Sequence, residues 1–241
     1  MAPALIDQAG KTRETELYRF IGDAHFQKGN YSEAIPYLEK FIRDTKLSDR
    51  NDKYELAYSY YQTGAIDKAT RLFNEVVGRS DILTQNAYYM LGSCYLKAND
   101  KKKAQMAFSA AAGMNFDPEV QEEALFNFAK LAYENSYAPF GEGIDALHNY
   151  IRSYPNSENV SEAYDYLISA YMRLKNYQAA LNSLEKISSK DDRLKAAYQK
   201  VAYYRGIEQF RNRQYADAVS LFDRSLLYRE MNADLRARAL Y

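Results

Sequence analysis

Six times along the chain a small residue is followed four positions later by a large apolar one: Ala34/Leu38, Ala69/Phe73, Ala104/Phe108, Gly143/Leu147, Ala180/Leu184 and Ala218/Phe222. The first members of these pairs lie 35, 35, 39, 37 and 38 residues apart. A recurrence of that length marks one supersecondary unit, and a unit so small has an apolar face that only a neighbour can cover. Such a chain must stack its units, and an array of this kind grows by addition rather than around one centre.

The first unit shows most clearly what each contains. From Leu17 to Gly29 apolar residues fall three and four apart and the run ends in glycine, which predicts an amphipathic helix with its stop signal. After Asn30-Tyr31 a second helix is predicted from Ser32, with Ala34, Ile35, Tyr37, Leu38, Phe41 and Ile42 on its buried stripe. The unit is thus an αα-hairpin. Its wording returns as Leu56-Ala57, Tyr60-Tyr61, Gly64, Ala69 and Phe73, then as Leu91-Gly92, Tyr95, Ala104 and Phe108, and again as Leu167, Tyr171, Tyr177, Ala180 and Leu184. Small residues at Gly22, Ala57, Gly92, Ala129 and Gly206 are expected to face the alanine of the second helix and let the two backbones approach. Asp117-Pro118 reads as an N-cap before a first-turn proline, and Tyr154-Pro155 separates the next two units. The longer connection from Asn135 to Gly143 accounts for the 39-residue spacing and is expected to be a solvated insertion, with a recognition loop as the alternative. Ser188 to Arg193 reads as a polar connector.

Composition bounds the function. Thirty-two basic residues balance thirty-two acidic ones, so a general role on nucleic acid or an anionic membrane is not expected. Cys94 is the lone cysteine, which excludes an intrachain disulfide and makes a small core filler the expected role. No apolar run reaches the roughly 18 to 20 residues that a membrane-spanning helix needs. Met1 to Asp7 lacks the basic start and apolar stretch of a signal peptide. Asn232 to Tyr241 reads as the opening of a further helix without its partner, which suggests a piece of a longer array. The motifs of metallohydrolases, nucleophile elbows, phosphate-binding loops and paired cysteines do not occur. His25 is expected between helices and His148 on an outer face, so no acid/base pair forms. No enzyme activity, cofactor or metal is expected.

The phrasing of leucine-glycine then tyrosine in a first helix, and alanine then phenylalanine in a second, resembles the tetratricopeptide repeat over residues 15 to 230. Trp is absent from the chain; Tyr18, Tyr88 and Tyr164 stand at the aromatic position near the helix start, and only Pro155 matches the trailing proline. The resemblance implies an all-α, right-handed solenoid of stacked antiparallel hairpins. It implies one array over 1–241, with six repeats at about 15–49, 50–83, 84–117, 118–157, 158–193 and 194–230, and the start of a seventh first helix at 231–241. The segment from Leu147 to Ser157, followed by Ser161 to Tyr164, is also similar to bacterial cell-envelope repeat proteins of the outer-membrane lipoprotein and periplasmic coordinator types. That similarity tilts the expected location to the periplasm or envelope over the cytoplasm.

In this family the first helices line the concave wall, and the resemblance carries that geometry to named residues. One inner position falls on Phe26, Tyr61, Leu96, Tyr133, Met172 and Phe210, and another on Arg19, Tyr54, Tyr89, Phe126, Asp165 and Tyr203. Tyr58, Lys97, Lys130, Arg173 and Arg211 run beside them. An aromatic groove with cationic heads in its later half suits a peptide with apolar anchors and some acidic character. The alternative role for the rings is to pack neighbouring units. The family's clamp for a terminal carboxylate is not expected, because Arg19, Asp23, Tyr58 and Ser93 stand at its positions. The implied function is a protein-interaction adaptor that holds a peptide or partner protein. The alternative is a structural array that assembles through its convex or terminal surfaces, including self-association through uncapped ends.

Overall fold

The computed structural model describes residues 2–45, 48–135, 141–187 and 189–240, with 2–12 as backbone. The described residues form helices and turns without strand: α1 Ala2–Gln27, α2 Tyr31–Asp44, α3 Arg50–Gln62, α4 Ile66–Val76, α5 Ile82–Lys97, α6 Lys101–Ala112, α7 Pro118–Asn135, α8 Gly141–Ser153, α9 Val160–Arg173, α10 Tyr177–Glu185, α11 Asp192–Arg211, α12 Tyr215–Leu226 and α13 Ala233–Leu240. Odd-numbered helices are called A and even-numbered ones B. The insertion expected around Asn135 to Gly143 falls largely on residues outside those described, as does Ser188 of the polar connector. Packing divides the chain into two compact units, Met1–Leu131 and Ala132–Tyr241.

Five A-to-B turns share one device. Gly29, Gly64, Asn99, Lys175 and Arg213 all adopt positive φ, between 56° and 84°. The next residue then donates its N–H to the carbonyl five positions back, as Asn30 does to His25 at 2.9 Å and Asn176 to Tyr171 at 2.9 Å. This left-handed helix stop satisfies carbonyls that the ended helix leaves open. The residue that closes it also precedes the next helix: Asp100 and Asn176 accept from Lys103 N–H and Ala179 N–H, both at 3.1 Å. One residue thus ends one helix and begins the other, which fixes the hairpin at minimal length.

Within a hairpin the glycine of helix A comes closest to the large residue that follows the alanine of helix B by four places. A Cβ on Gly92 would stand 2.6 Å from the Phe108 ring, and those on Gly22 and Gly206 would meet Leu38 and Phe222 as closely. The small residue of helix B touches backbone instead: a Cβ on Gly143 would lie 2.7 Å from Tyr133 Cα. Each helix supplies one gap and fills the other's, so Leu38, Phe73, Phe108, Leu147 and Leu184 are buried at 0–2% exposure.

A second device joins one hairpin to the next. Arg50, Gln85 and Gln199 each stand seven residues before the small residue of their A helix, and each reaches the connection that leads into the following A helix. Arg50 Nε donates to Val76 O at 2.7 Å while its other nitrogens hold Asp81 and Thr84. The buried Gln85 donates to Ala111, Met114 and Asp117 carbonyls and accepts from Phe116 and Asp117 N–H groups. Gln199 donates to Asn232 O at 3.0 Å. The predicted start at Asp117 forms as expected, its carboxylate accepting from Glu119 and Val120 N–H groups at 3.1 and 3.2 Å.

The curvature of each unit follows from which helices touch. In the first unit α1 meets α3 and α3 meets α5; in the second α9 meets α11 and α11 meets α13. Among the described residues no such contact joins α2 to α4, α4 to α6 or α10 to α12. A helices are therefore crowded and B helices splayed, which puts the A helices on the inner side of each unit. No helix among the described residues is long and apolar enough to cross a membrane.

Candidate functional site

The inner face of the first unit carries a connected series of rings. Phe26 on α1 meets Tyr31 and Tyr58 edge-on, both at 5.8 Å between centroids, and Tyr31 meets Tyr58 at 5.5 Å. Tyr58 continues to Tyr54 at 6.3 Å and to Tyr61 at 6.5 Å. Lys97 from α5 places its Nζ 3.8 Å from the centre of the Tyr61 ring. All these rings are partly buried, and Phe26, Tyr54, Tyr58 and Tyr61 pack against the core that contains Leu56, Ala57, Phe73 and Met90.

The two inner positions named by the sequence behave differently. Tyr54, Tyr89 and Tyr203 turn their rings onto the large B-helix residue of their own hairpin, Phe73 at 5.4 Å, Phe108 at 5.6 Å and Phe222 at 5.8 Å. Phe126 and Tyr203 keep only 6% and 8% of their surface, and burial pushes the Tyr54 hydroxyl up to about 12. Along this stripe the rings fill the hairpins. Arg19 and Asp165, at the same position, instead make ion pairs to Asp52 at 2.6 Å and Arg193 at 3.3 Å.

The other position stays open. Phe26, Tyr61, Tyr133 and Met172 are half-buried, Leu96 is exposed, and Phe210 is 54% exposed with its ring edge against Tyr215. In the second unit Tyr133 lies 5.3 Å from Tyr166, with Arg173 and Arg211 exposed on the A helices. Lys130 is half-buried on α7. Sequence reasoning missed Tyr31, which stands at the A-to-B turn, although its place just after Gly29-Asn30 could have revealed it.

Charge is concentrated between α1 and α3. The buried Asp52 caps its own helix, accepting the Asp49 N–H at 2.7 Å, and holds Arg19; burial raises its carboxyl above the usual range. Glu55, one turn further on, is pushed up to about 7, first by burial and then by the charges of Asp23 and Asp52. On the outer side a cleft of about 500 Å³ opens between α2 and α4 over Leu56 and Tyr60. Tyr60 donates to Glu39 there, and Lys68 lies 4.8 Å over the Tyr60 ring.

The remaining singled-out residues are structural. Cys94 is fully buried, with its thiol pushed up to about 11 by burial. His25 stacks on Tyr37 at 5.8 Å, and His148 Nε2 meets the Tyr171 hydroxyl at 2.8 Å. Among the described residues no three His, Cys, Asp or Glu side chains converge as a metal ion would need.

Comparison with known proteins agrees with this architecture. The family described as anaphase-promoting complex, cyclosome, subunit 3 matches residues 27–111, and none of the curated proteins matches the chain. Among solved structures, MamA from AMB-1 is 20% identical with a TM-score of 0.58, over 73% of this chain and 90% of that one. YrrB, described as a TPR protein with an unusual peptide-binding site, is 19% identical with a TM-score of 0.56, over 70% and 82%. The C-terminal part of a TPR repeat-containing protein from Cytophaga hutchinsonii is 18% identical with a TM-score of 0.57, over 88% and 79%. The chain has the tetratricopeptide-repeat fold, an all-α solenoid of helical hairpins.

Proposed function

We propose that this chain is a protein-interaction module that holds an extended or helical segment of a partner against its A helices. The observation that carries this reading is the connected ring series of Phe26, Tyr31, Tyr58 and Tyr61, which stays partly exposed on the A-helix side with Lys97 over the Tyr61 ring. Tyrosines in such a setting give wide contact area with little rotamer freedom to lose, and their hydroxyls can reach a peptide backbone. The proposed contact set keeps Phe26, Tyr58, Tyr61, Leu96, Lys130, Tyr133, Met172, Arg173, Phe210 and Arg211; Tyr54, Tyr89, Phe126 and Tyr203 act mainly by holding the wall in place. The division into six repeats with a seventh A helix remains part of this proposal.

Peptides selected from a random display library on the whole chain provide the test. Tyr61→Ala should weaken a selected peptide at least tenfold while lowering Tm by only a few degrees. An unchanged affinity together with a loss of about 2–4 kcal/mol in stability would mean that the ring is packing material.

The second reading, assembly through the ends, has its own observation. Leu17, Phe20 and Ile21 on α1 are 57%, 65% and 37% exposed, and Val219 and Leu227 near the other end are 60% and 70% exposed. Light scattering across concentrations separates the two: concentration-dependent dimers abolished by Phe20→Ser support assembly, and a strict monomer excludes it.

A further inference from the structure

Two carboxylates share the patch on which the rings of the first unit open. Asp23 stands one helical turn before Phe26, and Glu55 one turn before Tyr58, whose rings meet at 5.8 Å. Glu55 makes no ion pair or side-chain hydrogen bond among the described residues, and Asp23 accepts only from the Gln27 amide at 3.1 Å. The charges that act on Glu55 are Asp23 and Arg19 from α1, and Asp49 and Asp52 at the head of its own helix. Arg19, the one cation of this group, is committed to Asp52 at 2.6 Å and Asp49 at 3.5 Å. The patch therefore combines negative charge in excess with partly exposed aromatic rings.

We propose that this face takes a cationic segment: an extended peptide whose lysine or arginine lies over Tyr58 with its charge between Asp23 and Glu55, and whose apolar neighbours rest on Phe26 and Tyr61. The proposal rests on the reading that the A-helix face binds peptide, and it reverses the acidic character expected from the cations further along the chain. A ring face and a carboxylate both attract a cation, and each gains when the other helps to desolvate it. The protein already uses ring faces in this way, with Lys97 3.8 Å from the Tyr61 centroid and Lys40 4.0 Å from that of Tyr18. An anionic segment would instead meet like charge on both sides. Because acidic and basic residues balance over the whole chain, a preference for cationic peptides has to come from a local patch rather than from the net field.

The same feature separates a binding role from a structural one. At pH 8 Glu55 carries its charge against neighbouring carboxylates, so neutralising it should help the fold while harming recognition. The probes are three fluorescein-labelled nonapeptides in which leucine alternates with lysine, serine or glutamate, measured by anisotropy on the whole chain at pH 8 and 150 mM salt. The lysine peptide should bind at least about tenfold tighter than the serine peptide, and the glutamate peptide more weakly than either. Asp23→Asn with Glu55→Gln should remove that advantage with Tm unchanged or raised, whereas Asp67→Asn on the outer α4 should leave it intact. Equal binding of all three peptides that is still weakened by Tyr58→Ala would overturn the cationic proposal and leave the groove standing. Binding of none of them, with no effect of Tyr58→Ala on library-selected peptides, would sink both.

Discussion

At the scale of single residues, Glu55 shows how position sets chemistry. Nothing in the local sequence marks it out; its carboxyl is raised because the packing of α1 on α3 takes it partly out of water beside Asp23 and Asp52. The sign of the consequence follows. Between the ordinary carboxyl range near 4.5 and about 7 the folded chain holds a proton that the unfolded chain has shed. This contribution to stability is complete below that window and declines as pH rises through it. After discounting for partial solvation the loss is on the order of 1 kcal/mol. Urea titrations of the chain and of Glu55→Gln at pH 5 and pH 8 measure it directly. The variant should be more stable than the parent at pH 8 and close to it at pH 5; parallel pH profiles would exclude the assignment.

At the scale of helices and turns, legibility depended on how far a side chain's reason lies from it in sequence. The hairpins were readable because small and large residues recur within one turn of helix, and Gly29 and Gly64 announced their own stops. Lys175 and Arg213 did not, for they adopt the same left-handed conformation at φ 56° and 64° without the residue that adopts it freely. The Gln85 brace was equally silent, since its partners lie 26 to 32 residues away. The aromatic stripes were legible as stripes, yet only the structure shows that Tyr54 and Tyr89 turn inward onto Phe73 and Phe108 while Phe26 and Tyr61 stay open. A left-handed non-glycine residue costs about 1 kcal/mol relative to glycine. Lys175→Gly and Arg213→Gly should therefore each stabilise their hairpin by roughly 0.5 to 1 kcal/mol, whereas Gly64→Lys should destabilise by a similar amount. Thermal unfolding of the three variants decides it; a loss of stability in the first two would mean that their side chains make contacts worth more than the strain.

At the scale of the molecule, the decisive property is that contacts remain local. Among the described residues the helix contacts run between hairpin partners and between adjacent hairpins, so each of these helices is stabilised by its near neighbours. Among the described residues α1 packs on α2 and α3, while α5 packs on α3, α4 and α6, so stability should be lower at α1 than at α5. In the first unit α5 sits between α4 and α6 and buries Ala87, Leu91 and Cys94 almost completely, while α1 leaves Leu17 and Phe20 more than half exposed. Native-state hydrogen exchange should find amides of α5 the slowest in that unit. Those of α1 before Gly22 should open at a free energy lower by several kcal/mol, since each buried neighbour contributes about 1.5 to 3 kcal/mol per large side chain. Phe73→Ala, in the middle, should pull the protection of α3, α4 and α5 down together by about 3 to 5 kcal/mol. A single uniform opening energy for α1 and α5 would show that the unit unfolds as one block and that its stability is not assembled neighbour by neighbour.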